Sequence, residues 1–267
     1  MTVSTRRRGG SAVERLLIGI AALVVVAAAL IVTFGMGQKT MDRRLHPFLV
    51  RDDGVLKALA ARYGTSRNSE FAEEWIVRDF FGDRREGVFV DVGANDYRQE
   101  SNTYYLETEL GWSGLAIEPQ RKYAAGYAEH RPRSRFIPVF LSDVRDEPAT
   151  LYVPPSGLRA SSDKSWAESG GERVTEAIQT VTTTLDDVLD LNHITAIDFL
   201  SIDVELHEPQ VLKGFSIDRY RPRLVCVEVQ LQVRQAVLDY FTRHRYVIVG
   251  KYLRADSGNL WLTPLES

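Results

Sequence analysis

Cysteine is almost absent from the chain, which excludes two ways of stabilising a fold or building a site. Cys226 is the only cysteine in 267 residues, so neither an intrachain disulfide nor a cysteine-based metal site can form. It lies in the apolar run 224–227, where we expect a buried thiol. The five histidines show no ligand spacing and no compact oxygen-ligand loop occurs, so we predict no metal site.

An excess of positive charge is also missing. The net charge is −3, so no basic field indicates nucleic acid, and we predict no nucleic-acid partner. With 44% hydrophobic and 26% charged residues, the composition is that of an ordinary globular protein. The length suits one good-sized domain with an appendage, and no internal repeat is visible.

Long hydrophobic runs are absent except for one near the N-terminus. Residues 16–34 contain no charged side chain, and as a helix they span about 28 Å, close to the ~30 Å hydrocarbon core of a bilayer. A cleaved signal peptide usually has a shorter apolar region and an Ala-x-Ala-like exit, and a core helix would have a polar face. We therefore predict a transmembrane helix at 16–34, which makes this a single-pass membrane protein.

The orientation of this anchor stays open. Four arginines precede the run and favour a cytoplasmic N-terminus for residues 1–15. Lys39, Arg43 and Arg44 follow it closely, so the charge asymmetry is small. The side of the membrane on which the rest of the chain lies is therefore not fixed by the sequence.

The pattern after the anchor predicts a linker and then one domain. Residues 35–68 form a polar linker with a short helix at 55–63, and the folded domain spans 69–267. A further helix is predicted at 70–81, because aromatic residues recur there at helical spacing, and Gly82 ends it.

Within the domain, short apolar runs alternate with helical stretches. Strands are predicted at 88–92, 115–118, 136–141, 199–204, 224–229 and 246–249, with a helix at 232–243 and a final edge strand at 260–265. This alternation predicts an α/β, Rossmann-like sheet that is mostly parallel and has helices on both faces. The stretch 154–171 is the least regular, and a loop of this length in a compact domain is usually functional.

Polar residues follow the first predicted strand, where a parallel sheet binds its ligands. Gly93 permits a tight turn and a close approach of the backbone to a ligand. Asp91 and Asp96 bring carboxylates to the same rim, which disfavours a phosphate and favours a cation. No G-x-G-x-x-G occurs, which argues against the alternative of a nicotinamide-dependent oxidoreductase.

Acids also follow the second and third predicted strands. Glu118 is placed to accept hydrogen bonds from the ribose hydroxyls of a nucleoside. Ser142 and Asp143 follow the third run, where an adenine amino group would be bound. One acid near a strand end is common, but acids at three successive strand ends after one glycine turn form a stronger pattern.

The fourth predicted strand ends in a cluster of ionisable residues. Asp203 would face the reaction centre and is our first candidate for a general base, with His207 the second. Glu205 and Glu228 are candidates to orient an acceptor. Glu205 and Glu208 also suit the start of a helix, where the macrodipole favours negative charge. This capping role remains an alternative to a functional one.

The order of these motifs resembles that of the FkbM-type methyltransferases. The first matching stretch is FVDVGANDYRQESNTYYLETELGWSGLAIEP. The second is FLSIDVELHEPQVLKGF, and Val227-Glu228-Val229 is similar to the third strand-end motif. The resemblance covers about residues 69–261.

This resemblance implies a class I methyltransferase fold with S-adenosylmethionine as methyl donor. It implies that Asp91, Gly93 and Asn95 lie near the methionine moiety, Glu118 near the ribose and Asp143 near the base. Acceptors in the family are typically hydroxyl groups, often on sugars or secondary metabolites. We therefore expect O-methylation of a sugar, lipid-linked or secondary-metabolite hydroxyl, with the anchor holding the enzyme near a membrane-associated acceptor.

Two further features bear on activity. The 154–171 loop, with Trp166, is expected to cover the site, contact substrate and exclude water. Tyr97 and Leu206 stand where a glycine is common in the family, and both put bulk beside the expected site. They motivate an alternative function, a catalytically inactive membrane-anchored protein that acts in partner binding or trafficking.

Overall fold

The computed structural model describes residues 53–256 and 258–266, which belong to one compact unit that begins at Asp52. The predicted anchor at 16–34, the residues before it and the first part of the predicted linker lie outside the described residues. Within the described part of the chain, no helix is both long and apolar enough to cross a bilayer.

Ten strands in the described residues form two sheets. Their bounds are β1 Val88–Val92, β2 Ser113–Ile117, β3 Ser134–Ile137, β4 Phe140–Leu141, β5 Pro148–Val153, β6 Glu176–Thr183, β7 Phe199–Ile202, β8 Leu224–Glu228, β9 Tyr246–Ile248 and β10 Asn259–Pro264. Seven of them build the central sheet in the order β3-β2-β1-β7-β8-β10-β9. β10 runs antiparallel to both of its neighbours, and the other pairs are parallel.

The predicted α/β class is confirmed, but the place of the last strand is corrected. β10 was expected at the edge of the sheet, whereas it lies between β8 and β9, so that β9 forms the edge. An antiparallel strand can enter at any free edge, and the order along the chain does not reveal which neighbour it takes.

The predicted strand at 136–141 is in fact two strands in different sheets. β3 ends at Ile137, and β4 begins at Phe140. Pro138 separates them, because proline has no N–H to donate to a ladder and ends the pairing. β4 joins a second sheet, of order β4-β6-β5. Consequently Ser142 and Asp143 follow a strand of the small sheet, not the third strand of the central one.

The small sheet itself was not predicted. In β6 the less exposed positions include Ile178, Thr180 and Thr182, whereas Val181 on the opposite face is 59% exposed. Polar residues therefore face inward and an apolar one faces outward, so the usual period-two pattern of hydrophobic residues does not mark this strand.

Nine α-helices complete the described part. They are α1 Asp53–Tyr63, α2 Glu73–Phe81, α3 Tyr104–Thr108, α4 Ala124–His130, α5 Lys164–Ala167, α6 Leu185–Leu191, α7 Glu208–Lys213, α8 Ile217–Tyr220 and α9 Arg234–Arg243. α1 packs through buried Leu59 into the core of the domain, so the folded part includes a helix that was predicted in the linker. α2 begins three residues later than predicted, and Gly82 ends it with φ +62°.

Two hydrophobic cores cover the two faces of the central sheet, as predicted. Successive side chains of a strand point to opposite faces, so Phe89 belongs to one core and Val90 to the other. Helices α1 to α3 pack on the Phe89 face, and α6 to α9 on the Val90 face. Cys226 lies on the Phe89 face, and its predicted burial is confirmed.

Candidate active site

A cavity of about 380 Å³ lies at the carboxyl ends of the central strands. The position of the cavity follows from the register in which β7 and β8 are paired. Ile202 of β7 is paired with Val227 of β8, so the next residues, Asp203 and Glu228, share one row of the sheet. Neighbouring strands lie about 4.8 Å apart, which brings these two carboxylates together. Both residues line the cavity.

Gly93 forms the predicted tight turn after β1. Its φ is +86°, and a Cβ at this position would lie 1.7 Å from the carbonyl oxygen of Asp203. A side chain therefore cannot be placed here, and the open backbone faces the cavity. Asn95, two residues later, also has a positive φ, of +47°, and lines the cavity.

Asp91 is held by a network of buried polar residues. The Thr103 hydroxyl donates to Asp91 Oδ2 at 2.8 Å. Burial raises the pKa of Asp91, while Thr103 and the charge of Arg131 act in the opposite direction. Arg131 donates to Thr103 Oγ1 at 3.1 Å and pairs with Glu107 at 2.5 Å. Asp91 is thus positioned before any ligand arrives.

Glu118 is buried at the end of β2 and lines the cavity. Its Oε1 accepts a hydrogen bond from the backbone N–H of Gln120 at 2.8 Å, and burial raises the pKa of this carboxyl group. Gln120, which we did not predict, donates through Nε2 to the Gly157 carbonyl at 3.1 Å. The buried Oε1 of Gln120 has no hydrogen-bond partner among the described residues. An unpaired acceptor beside a carboxylate fits the hydroxyl and amino donors of a nucleoside.

Three predicted cofactor residues are not brought to the cavity. Asp96 caps its own turn, where it accepts from the N–H groups of Arg98 and Gln99 at 2.9 and 2.8 Å. Ser142 donates to Asp143 at 3.2 Å, and Asp143 is exposed. Because Pro138 ends β3 early, the chain presents an apolar wall where a polar contact to the base was expected. This part of the cavity is lined by Ile117, Val139, Phe140, Leu141 and Leu151.

Asp203, Glu208 and Glu228 form a tight group. Each contributes one carboxylate oxygen to a set that lies within 4.8 Å. Asp203 is accessible to solvent through the cavity that it lines, although it lies deep among protein atoms. Burial and then the charge of Glu228 raise the pKa of Asp203 well above its usual range. Burial also raises the pKa of Glu208 to about 7.

Glu205 is tied to Trp166. The indole N–H donates to Glu205 Oε2 at 2.6 Å, and the Ser161 hydroxyl donates to the Glu205 carbonyl at 2.6 Å. Burial, followed by the charge of Glu228, raises the pKa of Glu205 to about 7. Trp166 does not line the cavity, whereas Glu205, to which it donates, does.

The two departures from the family pattern are not among the residues that line the cavity, although Leu206 lies between two that are. Tyr97 packs against Gly126 and the ring of His130. Leu206 keeps the left-handed conformation that favours glycine, with φ +78°, at a cost of about 1–2 kcal/mol. Neither residue lines the cavity, so the expected crowding of the site does not occur.

His207 lines the cavity but is enclosed. Its Nδ1 lies 3.1 Å from the Ser162 hydroxyl, and its ring packs edge-on to Phe140. Its Nε2 is buried and has no partner among the described residues. Burial lowers the pKa of His207 and favours the neutral ring. Asp203, in contrast, is open to the cavity.

The loop at 154–171 reaches the cavity, as predicted, and contains only the short helix α5. Arg159 of this loop is the only arginine or lysine that lines the cavity within the described residues. It lies over the Trp166 ring at 5.4 Å. Arg159 was not predicted, nor were Glu70 and Glu73, which line the cavity from the region of α2.

Two solved methyltransferase structures are distantly similar to this chain. One is the precorrin-6y C5,15-methyltransferase of Geobacter metallireducens, which is 9% identical over 71% of this chain and 83% of that chain, with a TM-score of 0.38. The other is an O-methyltransferase of Bacillus cereus in complex with S-adenosylhomocysteine, 12% identical over 84% of this chain and 94% of that chain, with a TM-score of 0.37. No curated protein matches the sequence significantly.

A family model provides the assignment. The methyltransferase FkbM domain matches residues 91–248, which is more than half of the chain. The matched range contains Asp91, Glu118, Asp203 and Glu228, whose carboxylates line the cavity. The glycine turn and the unpaired Gln120 oxygen fit the donor that such enzymes use. The chain therefore belongs to the FkbM methyltransferase family and uses S-adenosylmethionine.

Proposed function

We propose that the protein methylates a hydroxyl oxygen of a small-molecule acceptor, such as a sugar, a lipid-linked sugar or a secondary metabolite. The observation that supports this most is Asp203, a carboxylate that is open to the cavity and stands beside Glu228. A hydroxyl group must lose its proton during transfer, and Asp203 is placed to take it.

The residues on one side of the cavity suit the donor. Glu118 and Gln120 offer acceptors to the ribose hydroxyls, and Gly93 leaves the backbone free for close approach. The buried carboxylate of Asp91 suits the ammonium group of the methionine moiety. When bound, S-adenosylmethionine supplies an electrophilic methyl carbon. Because β1 lies between β2 and β7, the backbones of Glu118 and Asp203 are two strand spacings apart, or about 10 Å. The two residues therefore lie at opposite ends of the cavity rim formed by these three strands.

The residues on the other side suit the acceptor. Burial, followed by the charge of Glu228, raises the pKa of Asp203, which makes the ionised Asp203 carboxylate a stronger base. In this proposal the carboxylate of Asp203 accepts the proton of the acceptor hydroxyl. A positioned base contributes about 100- to 10,000-fold to a rate. Alignment of the reactants is worth up to about 7–11 kcal/mol.

The predicted anchor at 16–34 supports a lipid-linked or otherwise membrane-associated acceptor within this proposal. A helix at the N-terminus would keep the enzyme at the membrane surface, close to such a molecule. S-adenosylmethionine is made in the cytosol, so the active domain must then face the cytosol. A reporter fused to the C-terminus tests this orientation, and a reporter on the outer side would contradict it.

The chemistry is tested with a donor that carries a deuterated methyl group. The full-length protein, purified in detergent, is incubated with sugars and lipid-linked sugars, each paired with an analogue in which an amine replaces the hydroxyl. Mass spectrometry and NMR then locate the label. We expect label on oxygen with the native enzyme and with Asp143→Asn, and a large loss with Asp203→Asn. Label on nitrogen or carbon would contradict O-methylation.

A further inference from the structure

The carboxylates of Asp203, Glu208 and Glu228 lie together without a cationic side chain. One oxygen from each lies within 4.8 Å of the others. Among the described residues, no lysine, arginine or histidine forms an ion pair with any of them. Clustered charges of one sign repel strongly when they are buried, so something must offset them.

Chain geometry explains how three separate residues meet. Asp203 and Glu228 occupy one row of the sheet at the ends of β7 and β8. Glu205 and Leu206 then adopt left-handed conformations, with φ of +52° and +78°, and turn the chain back so that α7 begins at Glu208. Glu208 Oε1 accepts from the Val204 N–H at 3.1 Å, which fixes this carboxylate against the strand end.

A second observation points to a missing ligand. Glu208 is 0% exposed, yet its Oε2 has no hydrogen-bond partner within the described residues. Glu228 Oε2 is likewise buried and unpartnered there. Buried polar atoms in folded proteins almost always have a partner, and the cost is greatest when the group is charged. Two such oxygens in a single cluster therefore indicate a shared ligand.

We propose that Asp203, Glu208 and Glu228 bind a divalent cation of the hard, oxygen-preferring kind, such as Mg²⁺, Mn²⁺ or Ca²⁺. Carboxylate oxygens are the ligands that these ions prefer, and cysteine and histidine are absent from the cluster. Metal–oxygen distances of about 2.0–2.6 Å allow ligand oxygens to lie up to about 5 Å apart, which the cluster satisfies. From the sequence alone we predicted no metal site, because no compact oxygen-ligand loop occurs, whereas these three ligands come from separate segments.

The site has an open side. Glu208 and the buried Glu228 oxygen form its floor, whereas Asp203 faces the cavity. A bound cation would therefore keep free positions for water or for an acceptor hydroxyl, whose proton it would make easier to remove. One Asp203 oxygen suffices for the cation, which leaves the other for that proton. This use of the cation rests on the proposed function, whereas cation binding itself does not.

Manganese binding tests the proposal directly. Full-length protein is freed of metal with a chelator and titrated with Mn²⁺, and free Mn²⁺ is measured by electron paramagnetic resonance. We expect one saturable site, with affinity lowered at least about 10-fold in Glu208→Gln and in Glu228→Gln. Glu100→Gln is the matched control, since Glu100 lines the cavity outside the cluster and the charge change is the same. We expect this variant to bind within about twofold of the native protein.

Two results would overturn the cation site. One is the absence of saturable Mn²⁺ binding in native protein that is folded by circular dichroism. The other is an equal loss in Glu100→Gln and Glu208→Gln, which would indicate diffuse attraction to an acidic cavity. Calorimetry with S-adenosylhomocysteine on the same samples separates this from the methyltransferase proposal. Donor binding without Mn²⁺ binding would contradict only the proposed cation site. Mn²⁺ binding without donor binding would contradict only the proposed methyl transfer.

Discussion

The two sides of the cavity treat their carboxylates differently. On the side proposed to bind the methyl donor, called the donor side below, Asp91 accepts a hydrogen bond from Thr103 and Glu118 accepts one from Gln120. On the side proposed to bind the acceptor, called the acid side below, Glu208 and Glu228 each leave one buried oxygen without a partner among the described residues. Both sides lie at the ends of strands of one sheet, so the fold alone does not cause the difference.

The difference indicates when each side is completed. A carboxylate that is already hydrogen-bonded is held in place before its ligand arrives, so the donor side is preorganised. A buried carboxylate oxygen without a partner is costly until a proton, a cation or a substrate group reaches it. The acid side is therefore completed by what it binds.

The largest expected effect comes from the acid side. Asp203→Asn removes the proposed base but keeps the size of the side chain, so we expect kcat to fall about 100- to 10,000-fold. His207→Asn should lower kcat less than about 10-fold, because Nε2 of His207 is buried. Single-turnover kinetics with both variants measures this, and a larger loss at His207 would reverse the assignment.

Glu73 provides a test by pH. Burial, followed by the charge of Asp256, raises the pKa of Glu73 from 4.5 to about 7. The folded state then holds this proton more tightly than the unfolded chain. The resulting stability is fully present below pH 4.5 and is lost as the pH rises through 7. The loss amounts to about 3 kcal/mol at 1.36 kcal/mol per pH unit.

Urea unfolding between pH 4 and 8, about the range of the shift, measures this effect. We expect Glu73→Gln to flatten the decline in the free energy of unfolding. Glu129→Gln changes a glutamate whose side chain is 76% exposed, and it should keep the native profile. Parallel profiles for the native protein and Glu73→Gln would show that Glu73 does not cause the decline.

A smaller effect is expected on the donor side. Thr103→Val keeps the shape of the side chain but removes the hydroxyl between Asp91 and Arg131. We expect the free energy of unfolding to fall by about 1.5–3 kcal/mol, since the lost hydrogen bonds involve charged groups. The affinity for S-adenosylhomocysteine should fall as well. Thr103→Ser keeps the hydroxyl, and an equal loss there would point to packing of the methyl group instead.

Trp166 gives the smallest expected effect. Trp166→Phe keeps an aromatic ring over which Arg159 can lie, but removes the N–H that donates to Glu205. Losing this bond should cost about 1 kcal/mol, or about fivefold in KM for the acceptor. Because Trp166 does not line the cavity, donor affinity should stay unchanged. A change in donor affinity alone would place the effect of the loop on the other side of the cavity.

The central strands could be predicted because their signals are local. β1 was predicted with its observed bounds, since a short apolar run ends at a glycine turn. Pro138 is a local signal for the end of β3, because proline has no N–H to donate to a ladder. The insertion of β10 between β8 and β9 depends on pairing between distant segments, which one sequence does not contain.

The residues of the site also divide into those with a local sequence signal and those placed by contacts between distant segments. Glu118 lines the cavity because it follows a strand of the central sheet, whereas Asp143 lies outside the cavity lining because β4, which it follows, belongs to the small sheet. The meeting of Glu208 with Asp203 depends on a left-handed turn at Leu206, a residue type that rarely adopts this conformation. Arg159 reaches the cavity from an irregular loop, whose path no periodicity predicts.

Donor binding is the most direct test of the account. Full-length native protein, Glu118→Gln and Asp143→Asn are titrated calorimetrically with S-adenosylhomocysteine. We expect saturable binding by the native protein and a loss of about 10- to 150-fold in Glu118→Gln, equivalent to 1.5–3 kcal/mol for a charged hydrogen bond. Asp143→Asn should bind within about twofold of native, because Asp143 lies outside the cavity. Failure of the folded native protein to bind, or an equal loss in both variants, would contradict the account.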